Sequence, residues 1–228
     1  LTVGDISGDG TIDVVAAWSD SAVTVLADAA PQPFLDPATQ FGALPALANN
    51  YGNLAAVGDV DADGRDDLVI PNPPQVLRRD QNGMWIDEPI GDARTTYQRA
   101  WLTDLDGDGD LDLLLTLSYA PQPPATPMQR FTNDGAGHFT FAQDLVVSYD
   151  TNALNFVDLD GDGDVDMLAA AGQGRVGWIE NQGAAGFVDA GLVSSVPPGS
   201  GNGLLVADLD GDGHADLACG TTSGPMPI

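Results

Sequence analysis

The chain has 228 residues, 34 of them acidic against 7 basic, all arginine, for a formal net charge of −27. So anionic a surface repels nucleic acid and acidic membranes, and neither a nucleic-acid partner nor membrane insertion is expected. The 43% hydrophobic content suffices for a core, and the single cysteine, Cys219 in the apolar run ADLACG, excludes an internal disulfide and is expected as a small buried strand residue.

No stretch of 18 apolar residues occurs, and the residues from Leu1 carry no basic, apolar leader, so neither a spanning helix nor a signal peptide is expected in this sequence. The acidic residues are grouped in short clusters separated by apolar runs, a pattern that asks for cations rather than for a solvating tail.

In chain order, a nine-residue pattern, D-x-D-G-D-G-x-x-D in its fullest form, recurs five times. It reads DISGDGTID from Asp5, DVDADGRDD from Asp59, DLDGDGDLD from Asp104, DLDGDGDVD from Asp158 and DLDGDGHAD from Asp208. Successive starts lie 54, 45, 54 and 50 residues apart, a period in the range of propeller blades. Apolar runs precede the later loops (NLAAV, RAWL, LNFV, GLLVA) and follow all five (DVVAAW, DLVI, DLLLTL, DMLAAA, DLACG), as in paired strands buried on both faces. Turn clusters follow the first four loops: DAAPQPF from Asp28, DQNGMW from Asp80, NDGAGHF from Asn133 and NQGAAGF from Asn181. They predict hairpins joining a third strand to a fourth. An insert, Ser118 to Pro127, is expected as an exposed loop between the second and third strands of its repeat.

Four strands per repeat make a blade, and blades cover their faces only against one another. The expected fold is therefore all-β, a β-propeller segment spanning residues 1–228 in repeats 1–50, 51–96, 97–150, 151–200 and an incomplete 201–228. That is about four and a half blades.

The loops have the chemistry of calcium sites. Ca2+ takes six to eight hard oxygen ligands, and alternate carboxylates on a tight loop supply them. Positions 1, 3, 5 and 9 give the side-chain ligands Asp5, Ser7, Asp9 and Asp13; Asp59, Asp61, Asp63 and Asp67; Asp104, Asp106, Asp108 and Asp112; Asp158, Asp160, Asp162 and Asp166; and Asp208, Asp210, Asp212 and Asp216. Position 7 offers the carbonyls of Thr11, Arg65, Asp110, Asp164 and His214, and position 6 is glycine throughout, where a sharp turn calls for positive φ. About five Ca2+ ions are expected, the weakest at the first loop, where Ser7 replaces a carboxylate. An EF-hand is excluded because position 12 is Ala16, Ile70, Leu115, Ala169 or Cys219 and never the required Glu.

These residues resemble the FG-GAP/VCBS repeats of integrin α-subunit-like propellers: apolar strand, DxDGDGxxDL, apolar strand, then N-x-G-x-G-x-F. The match is closest in the third and fourth repeats, at Asn133 to Phe139 and Asn181 to Phe187. The resemblance implies a seven-bladed ring, with the remaining blades supplied by the rest of the parent chain, and calcium between a blade's first and second strands. It also implies an extracellular or cell-surface location and an adhesion or carbohydrate- or protein-binding role, with a glycan or protein ligand.

No enzymatic role is expected: the only histidines are His138, in a hairpin, and His214, in a metal loop, and no Ser-His-Asp order, HExxH or CxxC is present. The alternatives are the non-catalytic propeller part of a polysaccharide lyase or dehydratase, and a structural scaffold. Trp18, Trp85, Trp101 and Trp178 lie in or beside predicted strands and are expected to pack within or between blades rather than stack on sugars.

Overall fold

The computed structural model describes residues 2–17, 23–26, 56–80, 82, 84–91, 97–117, 126–147, 149–170, 175–195, 204–211 and 215–219. These residues form β-strands and one 3-10 turn, Gly183–Ala185. The strands build antiparallel sheets in chain order. The first contains β1 (Thr2–Gly4), β2 (Asp13–Ala17) and β3 (Val23–Leu26). Three four-stranded sheets follow: β4 (Ala56–Gly58), β5 (Asp67–Pro71), β6 (Pro74–Arg79) and β7 (Trp85–Pro89); β8 (Tyr97–Thr103), β9 (Asp112–Leu117), β10 (Thr126–Asn133) and β11 (Phe139–Val147); and β12 (Asp150–Val157), β13 (Asp166–Ala170), β14 (Arg175–Asn181) and β15 (Phe187–Ser195). The last is a pair, β16 (Leu204–Ala207) and β17 (Asp216–Cys219).

Each four-stranded sheet is one sequence repeat, and each nine-residue loop joins the first strand of a sheet to the second. Burial follows from composition. The second strands are apolar runs covered on both faces: all of β5 is buried, and so is β9 apart from Leu117. The fourth strands carry polar residues outward, as in β7, where Ile86, Asp87 and Pro89 are exposed. A sheet covered in the middle and open along its last strand is the burial expected of a blade.

Strand β10 begins at Thr126, so the insert ends two residues before the predicted Pro127. Residues 118–125 lie outside the described residues, as do the DAAPQPF turn and Trp18. Cys219 closes β17, its side chain outside the described set. Strands β5 and β6 are joined by Asn72 and Pro73 through a cis peptide bond.

By contact density the chain divides into two units. One takes in Leu1–Thr103, Gly109–Tyr119 and Gln129–Gln143, and the other Asp104–Asp108, Ala120–Met128 and Asp144–Ile228. In the first, the opening strands of successive sheets lie beside one another, β1 against β4 and β4 against β8. Its core gathers Ala56, Val60, Val69, Val76, Ile90, Tyr97, Ala100, Leu113, Leu115 and Phe131 from two sheets, so the sheets are packed face against face by apolar side chains. In the second unit β12 lies beside β16, and Met167, Leu168, Ala169, Val176 and Ile179 are buried.

Candidate metal loops

The loops owe their shape to their own aspartates. The position 1 carboxylate turns inward and accepts backbone N–H groups: Asp158 Oδ1 from Gly161 at 2.8 Å and Oδ2 from Gly163 at 3.1 Å, and Asp59 Oδ2 from Gly64 at 2.8 Å. The position 5 carboxylate accepts from position 7, as Asp162 does from Asp164 at 2.9 Å. Position 6 has φ of 84° at Gly10, 86° at Gly64 and 95° at both Gly109 and Gly163. This is the left-handed turn expected there, and it is open to glycine at little cost; Gly213 lies outside the described residues.

Four of the five loops bring three carboxylates together, with one oxygen of each within 4.8 Å of the others: Asp59, Asp61 and Asp67; Asp104, Asp106 and Asp108; Asp158, Asp160 and Asp162; Asp208, Asp210 and Asp216. Asp212 and His214 of the fifth loop lie outside the described residues. In the first loop no such trio forms among the described residues. There Asp5 is taken up by the N–H groups of Gly8, Asp9 and Gly10, the Ser7 hydroxyl donates to Asp5, and Ser7 N–H donates to Asp13. Thr11 donates through both its N–H and its hydroxyl to Asp9.

The donor set is oxygen only, with no sulfur or imidazole in any trio. The gathered oxygens lie within 4.8 Å of one another, no farther apart than about twice a Ca–O distance of roughly 2.4 Å, so one ion can reach all three. Each pair of charges so placed repels by about 3 kcal/mol at an effective dielectric near 20. Asp61 Oδ1 is buried with no hydrogen-bond partner, and an orphaned buried carboxylate oxygen is costly unless something completes it. The residues present therefore fit a hard divalent cation.

Position 9 has a second role that spacing does not reveal. Asp13, Asp67, Asp112 and Asp166 are all buried, and the last two anchor the hairpins that follow. Asp166 Oδ1 accepts the N–H of Asn181 at 2.7 Å, and its Oδ2 accepts Trp178 Nε1 at 3.0 Å and the N–H of Leu159 at 3.2 Å. Asp112 accepts the N–H of Asn133 at 3.0 Å and pairs with Arg130 Nη2 at 3.0 Å.

From there each asparagine ties two loops together. The Asn181 amide donates to the carbonyl of Val165 in its own repeat's loop at 3.2 Å and to that of Leu105 in the preceding loop at 2.9 Å. Asn133 repeats this with Leu111 at 3.2 Å and Val60 at 2.8 Å. The sequence marks both asparagines only as turn residues. Their shared N-x-G setting was the available signal, but the carbonyls they reach lie 73 and 76 residues away.

The second repeat departs from this scheme. Asp80 stands where the later repeats have asparagine, and it accepts the N–H groups of Asn82 and Met84 within its own turn. The tie to the first loop runs instead through Asp66, whose Oδ2 accepts Asp5 N–H at 2.7 Å and whose N–H donates to the Asp5 carbonyl at 2.9 Å. At position 7, read from sequence as a carbonyl donor, Arg65 sends its guanidinium onto Asp63, with Nε 3.0 Å from Oδ2 and Nη2 paired to the same oxygen. That hydrogen bond holds the Asp63 carboxyl below the usual carboxylate range. Arg78 reaches Asp61 at 3.4 Å, but is committed to Glu88 at 2.6 Å and to the Ala136 carbonyl at 2.7 Å.

Residues 104–169 and 158–219 each match the FG-GAP-like repeat, together just over half of the chain, and residues 51–83 match the FG-GAP repeat. The chain belongs to the FG-GAP-like repeat family. A comparison with curated proteins gives no match. FG-GAP repeats are propeller-type, so the four-stranded sheets are blades. The two matched descriptions divide where the geometry does, the second repeat on one side and the asparagine-tied repeats on the other.

The other singled-out residues take ordinary places. Trp85, Trp101 and Trp178 are half-buried, with the Arg79 guanidinium 5.8 Å from the centre of the Trp85 ring. His138 is exposed in its hairpin beside Asp134, 3.1 Å away. Among the described residues no helix is long and apolar enough to cross a membrane.

Proposed function

We propose that this FG-GAP chain is a calcium-stapled propeller segment serving as an adhesion or carbohydrate- or protein-binding module outside the cell or at its surface. The observation that carries the reading is the recurrence of a carboxylate trio in the same loop of four repeats, built on positions 1 and 3 with position 5 or position 9. Each trio lies between the strands that hold its blade. The aspartates at positions 1, 3, 5 and 9 would hold the ion, helped by the position 7 carbonyl, and bound calcium would supply the positive charge the loop lacks.

Loops built from several carboxylates suit the millimolar calcium found outside cells. FG-GAP repeats are typical of extracellular or surface proteins. Glycan or protein recognition then belongs to surfaces that the stapled loops keep in place. Scaffolding without a ligand, or service as the non-catalytic propeller of a polysaccharide-active enzyme, would use the same staples.

Thermal melting with millimolar calcium and with excess chelator tests the staple. The expected loss on chelation is more than about ten degrees, because several binding free energies are withdrawn from the folded state together. An unchanged melt contradicts the calcium reading. A glycan array probed in calcium and again in chelator tests the ligand: calcium-dependent binding supports carbohydrate recognition, and no binding leaves the protein-adhesion and scaffold roles.

A further inference from the structure

The five loops are close in sequence, yet only the second has a cationic side chain at position 7 among the described loops: Thr11, Arg65, Asp110 and Asp164 occupy it in turn. The trios differ among the loops, and the fifth, whose Asp212 lies outside the described residues, also gathers positions 1, 3 and 9. In the fourth loop the gathered carboxylates are positions 1, 3 and 5, Asp158, Asp160 and Asp162, whereas in the second they are positions 1, 3 and 9, Asp59, Asp61 and Asp67. Asp63, the position 5 residue, is left out of its group and lies against Arg65. The contact is two-pronged, Nε at 3.2 Å from Oδ1 and 3.0 Å from Oδ2, with Nη2 on the same carboxylate. The guanidinium is held from behind by the Arg79 carbonyl, 2.9 Å from Nη2.

We infer that Arg65 is a resident counter-ion of the second loop, which must give up Asp63 before that loop can complete a calcium site, so that the second loop takes calcium more weakly than the fourth. This rests on the reading of the loops as calcium sites. An arginine–carboxylate fork is directional, and breaking it costs more than releasing a solvated charge. Arg78 does not share the role, being fixed by Glu88 and the Ala136 carbonyl. Arg65 has somewhere to go: it borders an open cleft of about 410 Å3 lined also by Asp61, Asp63, Arg79, Asp80, Asn82 and Ile86. The orphaned Asp61 Oδ1 is what the guanidinium leaves unserved. The loop is thus partly neutralised without metal, yet not completed.

The position 6 glycines give a loop-by-loop readout, since Gly64 N–H donates to Asp59 and Gly163 N–H to Asp158. The full chain, labelled with nitrogen-15, is titrated with calcium chloride after chelator treatment, and the amide shifts of Gly64 and Gly163 are followed. Gly64 is expected to reach half-saturation at about tenfold higher calcium than Gly163, a gap within the range that ligand charge sets in such loops. R65Q, which removes the charge, is expected to close most of the gap, while R65K, which keeps the charge but loses the fork, closes only part of it. Gly64 and Gly163 moving together in the unaltered chain, or R65Q leaving the gap untouched, overturns the role of Arg65 while leaving calcium binding intact. If neither amide moves at any calcium concentration, the calcium reading falls and this inference with it.

Discussion

The second and fourth loops share the four ligand aspartates and the position 6 glycine and reach different internal solutions. In the fourth, glycine stands at position 4 and aspartate at position 7, three successive odd-numbered carboxylates converge, and the position 9 aspartate is spent on Asn181 and Trp178. In the second, Ala62 occupies position 4 at φ 57°, Arg65 draws Asp63 away, and the buried Asp67 joins the trio instead. The comparison teaches that the repeat motif specifies where a cation site is built. In the second loop a residue between the ligand positions, Arg65, engages one of the carboxylates that would make it.

The largest expected difference concerns the ties between loops. Asn181 is almost wholly buried, and truncating its side chain strands the Leu105 and Val165 carbonyls and the Gly183 N–H, so N181A is expected to lower stability by about 3 kcal/mol. D80A, at the corresponding place in the second repeat, disturbs only its own turn and is expected to cost far less. Urea unfolding of both variants in calcium measures the contrast, and equal losses would mean the asparagine tie is not what separates the repeats.

Much of this was readable in advance. The period near fifty residues and the apolar runs on either side of each loop are local signals, and the blades follow from them. The carboxylates that the trios gather follow from alternate aspartates. Position 9 as a hairpin anchor was not readable, because Asp112 and Asp166 act through partners on other strands, and neither was the reach of Asn133 to the preceding loop. Arg65 was legible as a carbonyl donor only, since whether its side chain turns outward or onto Asp63 depends on the Arg79 carbonyl behind it. The start of β10 at Thr126 escaped because Pro127, which lacks an N–H for the ladder, reads as a loop residue.

A pH experiment sharpens the contrast at Asp67. Burial first, then the charges of Asp61, Asp63 and Asp59, push its carboxyl up to about 7 in the metal-free chain, although Val60 N–H opposes the shift. A folded value above the unfolded one means that the folded state keeps a proton the unfolded state releases. The stability from this group is complete below about pH 4 and is lost as pH rises through about 7. In chelator, melting temperature is expected to fall from pH 5 to 7.5 more steeply in the unaltered chain than in D67N. Parallel slopes would remove Asp67 as the source.

The smallest effect is at position 4. Ala62 holds the left-handed backbone that glycine adopts at Gly8, Gly107, Gly161 and Gly211. A62G is therefore expected to gain about 0.5 kcal/mol, the steric relief being partly offset by glycine's greater freedom when unfolded. A loss in urea unfolding would show that the second loop is relaxed as it stands.

The central claim, that the aspartate trios are calcium sites, is tested most directly by counting bound ions. Equilibrium dialysis against calcium, with metal analysis of the protein, should find several ions per chain and one fewer in the double variant D158N/D160N, which removes two of the fourth loop's three gathered carboxylates. An unaltered chain that retains no calcium above the dialysis buffer, or a double variant that retains as many ions as its parent, would contradict it.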